Sequence, residues 1–163
     1  MLWSRRRVLI AGLAVLPLAA CLRPVHAPGG PGAALRGQVR ADDPQTPQEF
    51  AFVGALEDRL GRAQAARFQL SYDLRLRERG GAAVRDLGDT RFQIFGTLDY
   101  ILSDSATGDE VQSGSLQNVT AYSATANQLA TRMAQEDAER RLMRILADAL
   151  ATRLVAAMPT GGA

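Results

Sequence analysis

From Phe68 onward apolar and polar positions alternate: Phe68, Leu70, Tyr72, Leu74 and Leu76 against Gln69, Ser71, Asp73, Arg75 and Arg77. A period of two sends successive side chains to opposite faces, so the stretch predicts a strand with one buried face. Gly80-Gly81 is expected to end it. Phe92, Ile94, Gly96, Leu98, Tyr100 and Leu102 repeat the pattern, and Asp104 to Asp109 reads as a hairpin loop. The return strand, Glu110 to Tyr122, is rich in Ser, Thr, Gln and Asn. It is expected to be solvated on one face or set against another polar surface.

Elsewhere the period lengthens. Leu35 to Arg40 predicts a short strand, and Asp42 to Pro47 a turn into a helix, with Thr46 as N-cap and Pro47 in the first helical position. In that helix Phe50, Val53, Leu56 and Leu60 are expected to share the buried face. A longer helix is marked by Ala130, Met133, Ala134, Ala138, Leu142, Ile145, Leu146 and Ala149, with Thr125 or Asn127 as its cap. Glu136–Arg140 and Asp137–Arg141 supply acid-before-base pairs at i, i+4.

The predicted order is β, α, β, β, β, α. A hairpin sheet with one apolar face must be covered. The expected fold class is therefore α+β: a two-layer α/β sandwich, its antiparallel or mixed sheet of about four strands covered by two helices. This domain is expected over residues 35–158, followed by a disordered tail at 159–163.

The N-terminus has a different pattern. Arg5, Arg6 and Arg7 precede an apolar run from Val8 to Leu18, interrupted only by Gly12 and Pro17. The run falls short of the roughly 20 residues that span a bilayer as a helix, and reads as a signal peptide over residues 1–20. It ends in Leu18-Ala19-Ala20-Cys21, the small residues before a cysteine that make a lipobox. Cleavage between Ala20 and Cys21 is expected, with Cys21 carrying a diacylglycerol and an N-acyl chain. Cys21 is the only cysteine, and acylation accounts for a lone thiol in an oxidising compartment. Two or more chains make anchoring stable. Ser4-Arg5-Arg6-Arg7-Val8-Leu9 resembles a twin-arginine export signal as much as a plain basic leader, and leaves the export route open. Residues 21–34, with Pro24, Pro28, Gly29, Gly30, Pro31 and Gly32, predict a flexible tether without helix or strand. Leu22, in place of an acidic residue after the cysteine, favours the outer membrane over the inner.

Charge follows from this processing. The whole chain carries a formal +2. Removing residues 1–20 takes three of the 19 basic residues and none of the 17 acidic ones, which leaves 16 against 17. No basic arm remains, and nucleic acid is set aside as a partner. Every basic residue is Arg and none is Lys, which suits bidentate phosphate contacts.

Catalytic patterns are scarce. His26, the one histidine, lies on the tether, where no nucleophile or orienting acid can be held beside it. CxxC, HExxH, GxSxG and phosphate-loop spacings are absent, and a metal site of His and Cys is excluded by count. No cofactor is expected beyond the acyl chains. Asp99, Asp104, Asp109 and Glu110 gather near one hairpin, and a hydrolase could use two carboxylates held about 5 to 9 Å apart. Aspartates also simply make turns. Arg75 and Arg77 share a strand face, Arg79 follows, and Arg91 opens the next strand. If the strands pair, Arg75, Arg77 and Arg91 form a basic patch suited to phosphate.

Three stretches resemble a known family. Cys21 to Gly30 (Cys-Leu-Arg-Pro-Val-His-Ala-Pro-Gly-Gly) looks like the mature start of alphaproteobacterial lipopolysaccharide-assembly lipoproteins of the LptE family. Gly96-Thr97-Leu98-Asp99-Tyr100, Thr107 to Val111 and Ser113-Gly114-Ser115 resemble its central hairpin. Tyr122 to Thr125, Ala130-Thr131-Arg132 and Arg141 to Asp148 resemble its final helix. Leu22-Arg23 departs from the Gly-Phe or Gly-Trp usual after the cysteine. The resemblance implies a non-enzymatic lipoprotein of the outer membrane, facing the periplasm. It would plug and help assemble an LptD-type β-barrel and bind lipopolysaccharide. The alternatives are an auxiliary lipid-binding lipoprotein of another envelope transporter and a small periplasmic hydrolase.

Overall fold

The structure, a computed structural model, describes residues 31–64, 66–84 and 88–158. A compact unit spans Leu35–Met158. The described elements run in the order α1 (Pro31–Leu35), β1 (Val39–Ala41), α2 (Pro47–Leu60), β2 (Phe68–Val84), β3 (Gly88–Asp104), β4 (Glu110–Ser123) and α3 (Gln128–Ala157).

The four strands form one sheet in chain order. β1 lies parallel to β2, with Val39 opposite Phe68, while β2–β3 and β3–β4 are antiparallel hairpins. The sheet is thus mixed, and helices cover one face: the α+β sandwich expected from the patterning. α3 lies across β3 and β4 and packs against α2, whose Phe52 ring meets Tyr72 of β2 at 5.2 Å. Leu70, Leu98, Leu102, Leu142, Leu146, Leu150 and Leu154 are fully buried between the layers. Where α3 crosses β3, Gly96 keeps the backbone low enough for Leu142 and Leu146 to sit on it.

Both main helices begin where their caps require. Thr46 Oγ1 accepts the Glu49 N–H at 3.2 Å, with Pro47 following. Asn127, rather than Thr125, caps α3, its Oδ1 accepting the N–H groups of Leu129 and Ala130. α2 ends at Gly61, whose φ of 79° is the left-handed turn glycine takes without strain.

Several boundaries differ from the expectation. Residues 31–35 form a short helix where a structureless tether was expected, because Pro31 stands at the first helical position and Ala33-Ala34-Leu35 are good helix formers. Leu35 therefore ends a helix rather than opening a strand. Its carbonyl accepts the Gln38 N–H, Gly37 turns with φ 69°, and β1 starts only at Val39. Gly80-Gly81 does not end β2, which continues to Val84. Pairing needs only backbone groups, and a register shift between Gly80 and Ala82 absorbs the irregularity. In α2 Phe50 is 63% exposed and Phe52 is buried in its place. Phe52, Leu56 and Leu60 are four apart, so they share the stripe that faces the core. In α3 Ala130, Met133 and Ile145 are exposed, while Met143, Ala147, Leu150, Ala151 and Leu154 join the buried set. That helix contacts both the sheet and α2, so its buried stripe is wider than a single seam and rotated from the predicted one.

No helix among the described residues is long and apolar enough to cross a membrane. Residues 1–30, with Ala20, Cys21 and His26, and residues 159–163 lie outside the described residues.

Candidate functional site

Alternation along a strand decides what each face of the sheet carries. Over Phe68–Gly80 of β2, Arg91–Leu102 of β3 and Gln112–Ser123 of β4, the even-numbered residues turn to the helices and the odd-numbered ones to the uncovered face. Register then sets the rows of that face. Asp73 lies opposite Asp99 and Ser115, Arg75 opposite Thr97 and Gln117, Arg77 opposite Phe95 and Val119, and Arg79 opposite Gln93 and Ala121. Arg75, Arg77, Arg79, Phe95, Thr97 and Gln117 line a shallow groove of ≈ 480 Å³.

The three arginines differ in their partners. Arg75 Nε lies 3.1 Å from Asp73 Oδ2, and its guanidinium also bonds Asp99, so two carboxylates offset its charge. Among the described residues Arg77 and Arg79 have no carboxylate partner. The guanidinium of Arg79 lies over the Phe95 ring, 5.7 Å from its centroid, a cation–π position. Phe95 and Val119 are 37% and 45% exposed. The far part of the groove is therefore cationic and apolar together, and its near end, with one guanidinium against two carboxylates, is net negative.

Of the predicted basic set, Arg75 and Arg77 share this groove. Arg91 is exposed one rung beyond Gln93, paired with Ala82 and Ser123, and does not line it. Arg79 completes the row. Its odd number, in step with Arg75 and Arg77, places it there, whereas Phe95 joins through strand register alone.

Asp99 stands apart from Asp104, Asp109 and Glu110, which gather at the turn. Asp99 faces outward and bonds Arg75. Asp104 sits five residues further on β3, about 17 Å at the rise of a strand, beyond the carboxylate spacing of glycoside hydrolysis. Its Oδ1 accepts the Ala106 N–H at 2.9 Å, and Arg67 Nε lies 3.4 Å from Oδ2. The Ala106 bond, then the Arg67 contact, holds the Asp104 carboxyl below its ordinary range despite some desolvation. Glu110 accepts a bond from Ser113 Oγ at 2.6 Å. These carboxylates shape the turn that joins β3 to β4. Among the described residues no three His, Cys, Asp or Glu side chains gather as metal ligands would.

A family profile described as LptE, lipopolysaccharide-assembly, matches residues 37–154. The chain belongs to the LptE family. Its match covers β1 through most of α3, and so takes in the whole arginine groove. No curated protein matches the chain. Among solved structures, the LptE fold seen here resembles a lipoprotein from Caulobacter crescentus at 19% identity and TM-score 0.64, over 77% of this chain and 93% of that one. It also resembles rare lipoprotein B from Shewanella oneidensis (11%, TM-score 0.56, covering 73% and 92%). A minor lipoprotein from Acinetobacter baumannii gives 14% and 0.52, covering 73% and 89%. At these identities the likeness is one of fold.

Proposed function

We propose that this chain is the lipoprotein subunit of a lipopolysaccharide-assembly translocon. It is anchored to the periplasmic side of the outer membrane through acylated Cys21 and is partnered with an LptD-type β-barrel that it plugs and helps assemble. Family membership supports the assembly role. The observation that carries the ligand reading is the uncovered sheet face, where Arg77 and Arg79 have no carboxylate partner among the described residues and Phe95, with Val119 next to it, is exposed. Such a surface matches an amphiphile whose head bears phosphates: guanidinium forks take the phosphate oxygens and the apolar row meets the first methylenes. Arg75 holds the near end of the groove in shape, and Arg91 extends the charge beyond it. The stretch Ser113, Ser115 and Gln117 on the odd face of β4 also suits the water-lined lumen of a large barrel.

The test is an affinity pull-down of the tagged full chain from detergent-solubilised outer membranes, with mass spectrometry of what accompanies it. One large β-barrel at near-equal stoichiometry supports the proposal. Recovery without a barrel removes the translocon reading and leaves a lipid-binding lipoprotein of another transporter.

A further inference from the structure

The sheet has two edges, and they are treated differently. Along β4 three side-chain contacts occupy backbone groups. Arg153 Nη1 donates to the Ser115 carbonyl at 3.1 Å and Arg141 Nη2 to the Ala121 carbonyl at 3.2 Å, while the Val119 N–H donates to Asn118 Oδ1 at 3.0 Å. Blunting of this kind keeps an edge from recruiting foreign strands.

The edge of β2 has no such cover. β1 reaches only from Phe68 to Leu70. The Phe68 N–H donates to Gln38, the Leu70 carbonyl accepts the Asp42 N–H, and Pro44, which has no N–H, follows shortly after. Backbone groups alternate sides along a strand, so Tyr72, Leu74, Leu76 and Glu78 turn their N–H and C=O groups the same way as Phe68 and Leu70. Among the described residues no hydrogen bond reaches them from that side. The stretch ends at the register shift beyond Gly80. Tyr72 to Glu78 falls within the roughly 3–10 residues of an ordinary strand.

We propose that the free edge of β2, from Tyr72 to Glu78, docks an extended segment of a partner protein in which acidic and apolar residues alternate. The backbone would supply affinity by strand addition and the flanking side chains selectivity. On the outer face the added strand would run beside Arg75, Arg77 and Arg79, the last two of which have no carboxylate partner among the described residues. On the inner face it would meet half-buried Leu74 and Leu76. A second copy is a poor occupant. Two β2 edges side by side would bring like rows of arginines together, and like charges across strands repel. The chain's own ends are poor occupants too. Residues 1–30 contain no acid and four arginines, and residues 159–163 are Pro-Thr-Gly-Gly-Ala. The inference concerns the backbone edge and does not depend on phosphate binding by the face.

The experiment is residue-resolved hydrogen exchange on the full chain in detergent, with and without saturating acetyl-Val-Glu-Val-Glu-Val-Glu-Val-amide. Amides of Tyr72, Leu74, Leu76 and Glu78 should slow by about tenfold or more. Those of Ser71, Asp73, Arg75 and Arg77, already bonded to β3, should not change. The matching Val-Arg peptide should have no effect, and Arg77→Ala with Arg79→Ala should weaken the Val-Glu peptide several-fold while keeping the alternate pattern. Absence of alternate protection would overturn the proposal. So would protection at Gln117 on β4, equal action of the Val-Arg peptide, or concentration-dependent protection of the edge without peptide, which would assign it to a second copy.

Discussion

Gly96 lies directly beneath Leu146: a Cβ on the glycine would stand 3.0 Å from Leu146 Cδ1, and 3.1 Å from Leu142 Cδ2. The glycine is what lets α3 approach β3 so closely. Gly96→Val should therefore destabilise the fold by about 1–3 kcal/mol through overpacking. Leu146→Ala in the same chain should recover part of that loss, since the two side chains compete for one space. Urea unfolding of the two single variants and the double variant checks this. Additive losses would show that the contact is not the cause.

Leu98 and Ile101, three residues apart on β3, point to opposite faces. Leu98 is fully buried and Ile101 is 45% exposed. Leu98→Ala should cost about 2–5 kcal/mol by leaving a cavity. Ile101→Ala should stay within about 0.5 kcal/mol, as surface changes do. Comparable losses in thermal unfolding would contradict the assignment of the two faces.

Tyr72 and Tyr122 both face the helix layer, and their phenols are pushed up to about 12. Burial is the largest cause in each. Glu49 adds to it for Tyr72, and Glu78 for Tyr122. In the unfolded chain both ionise near the ordinary tyrosine value of about 10. The stability they contribute is therefore complete below about pH 10 and is lost as pH rises toward 12. Ultraviolet titration should find Tyr72 and Tyr122 ionising late, and Tyr72→Phe with Tyr122→Phe should flatten the alkaline loss. An unchanged alkaline midpoint would count against burial as its source.

The arginines of the open face should differ in importance for phosphate. Arg75 is already engaged by Asp73 and Asp99, whereas Arg77 and Arg79 are not. Arg77→Ala with Arg79→Ala should lower lipopolysaccharide affinity by about tenfold and reduce its salt dependence, with Arg75→Ala closer to wild type. Binding to lipopolysaccharide micelles over a salt series measures both. Equal losses at all three positions would mean that total charge, rather than free guanidinium, sets affinity.

Much of this was legible in the residues. Strict alternation in Phe68–Arg77 and Phe92–Leu102 marked the strands and separated their faces, because a period of two admits no other regular structure. Thr46 and Pro47 located the start of α2 for an equally local reason. Local signals are overridden where a distant contact intervenes. Gly80-Gly81 looked like a stop, and pairing with β3 carried the strand past it. Phe50 and Phe52 are equally apolar, and only the position of the sheet chose which to bury.

The candidate groove divides along the same line. That Arg75, Arg77 and Arg79 share a face follows from their spacing in one strand. That Phe95 stands beside Arg77 with Val119 on its far side, that Asp99 turns onto Arg75, and that Arg91 falls outside the groove depend on register between strands. A shift of one residue would exchange every such neighbour. Register is set by which apolar rows α3 and α2 can bury together, an energy shared over the whole sandwich. The short β1 and the open β2 edge beside it are likewise consequences of assembly, since no pattern within β2 distinguishes a covered backbone from a free one.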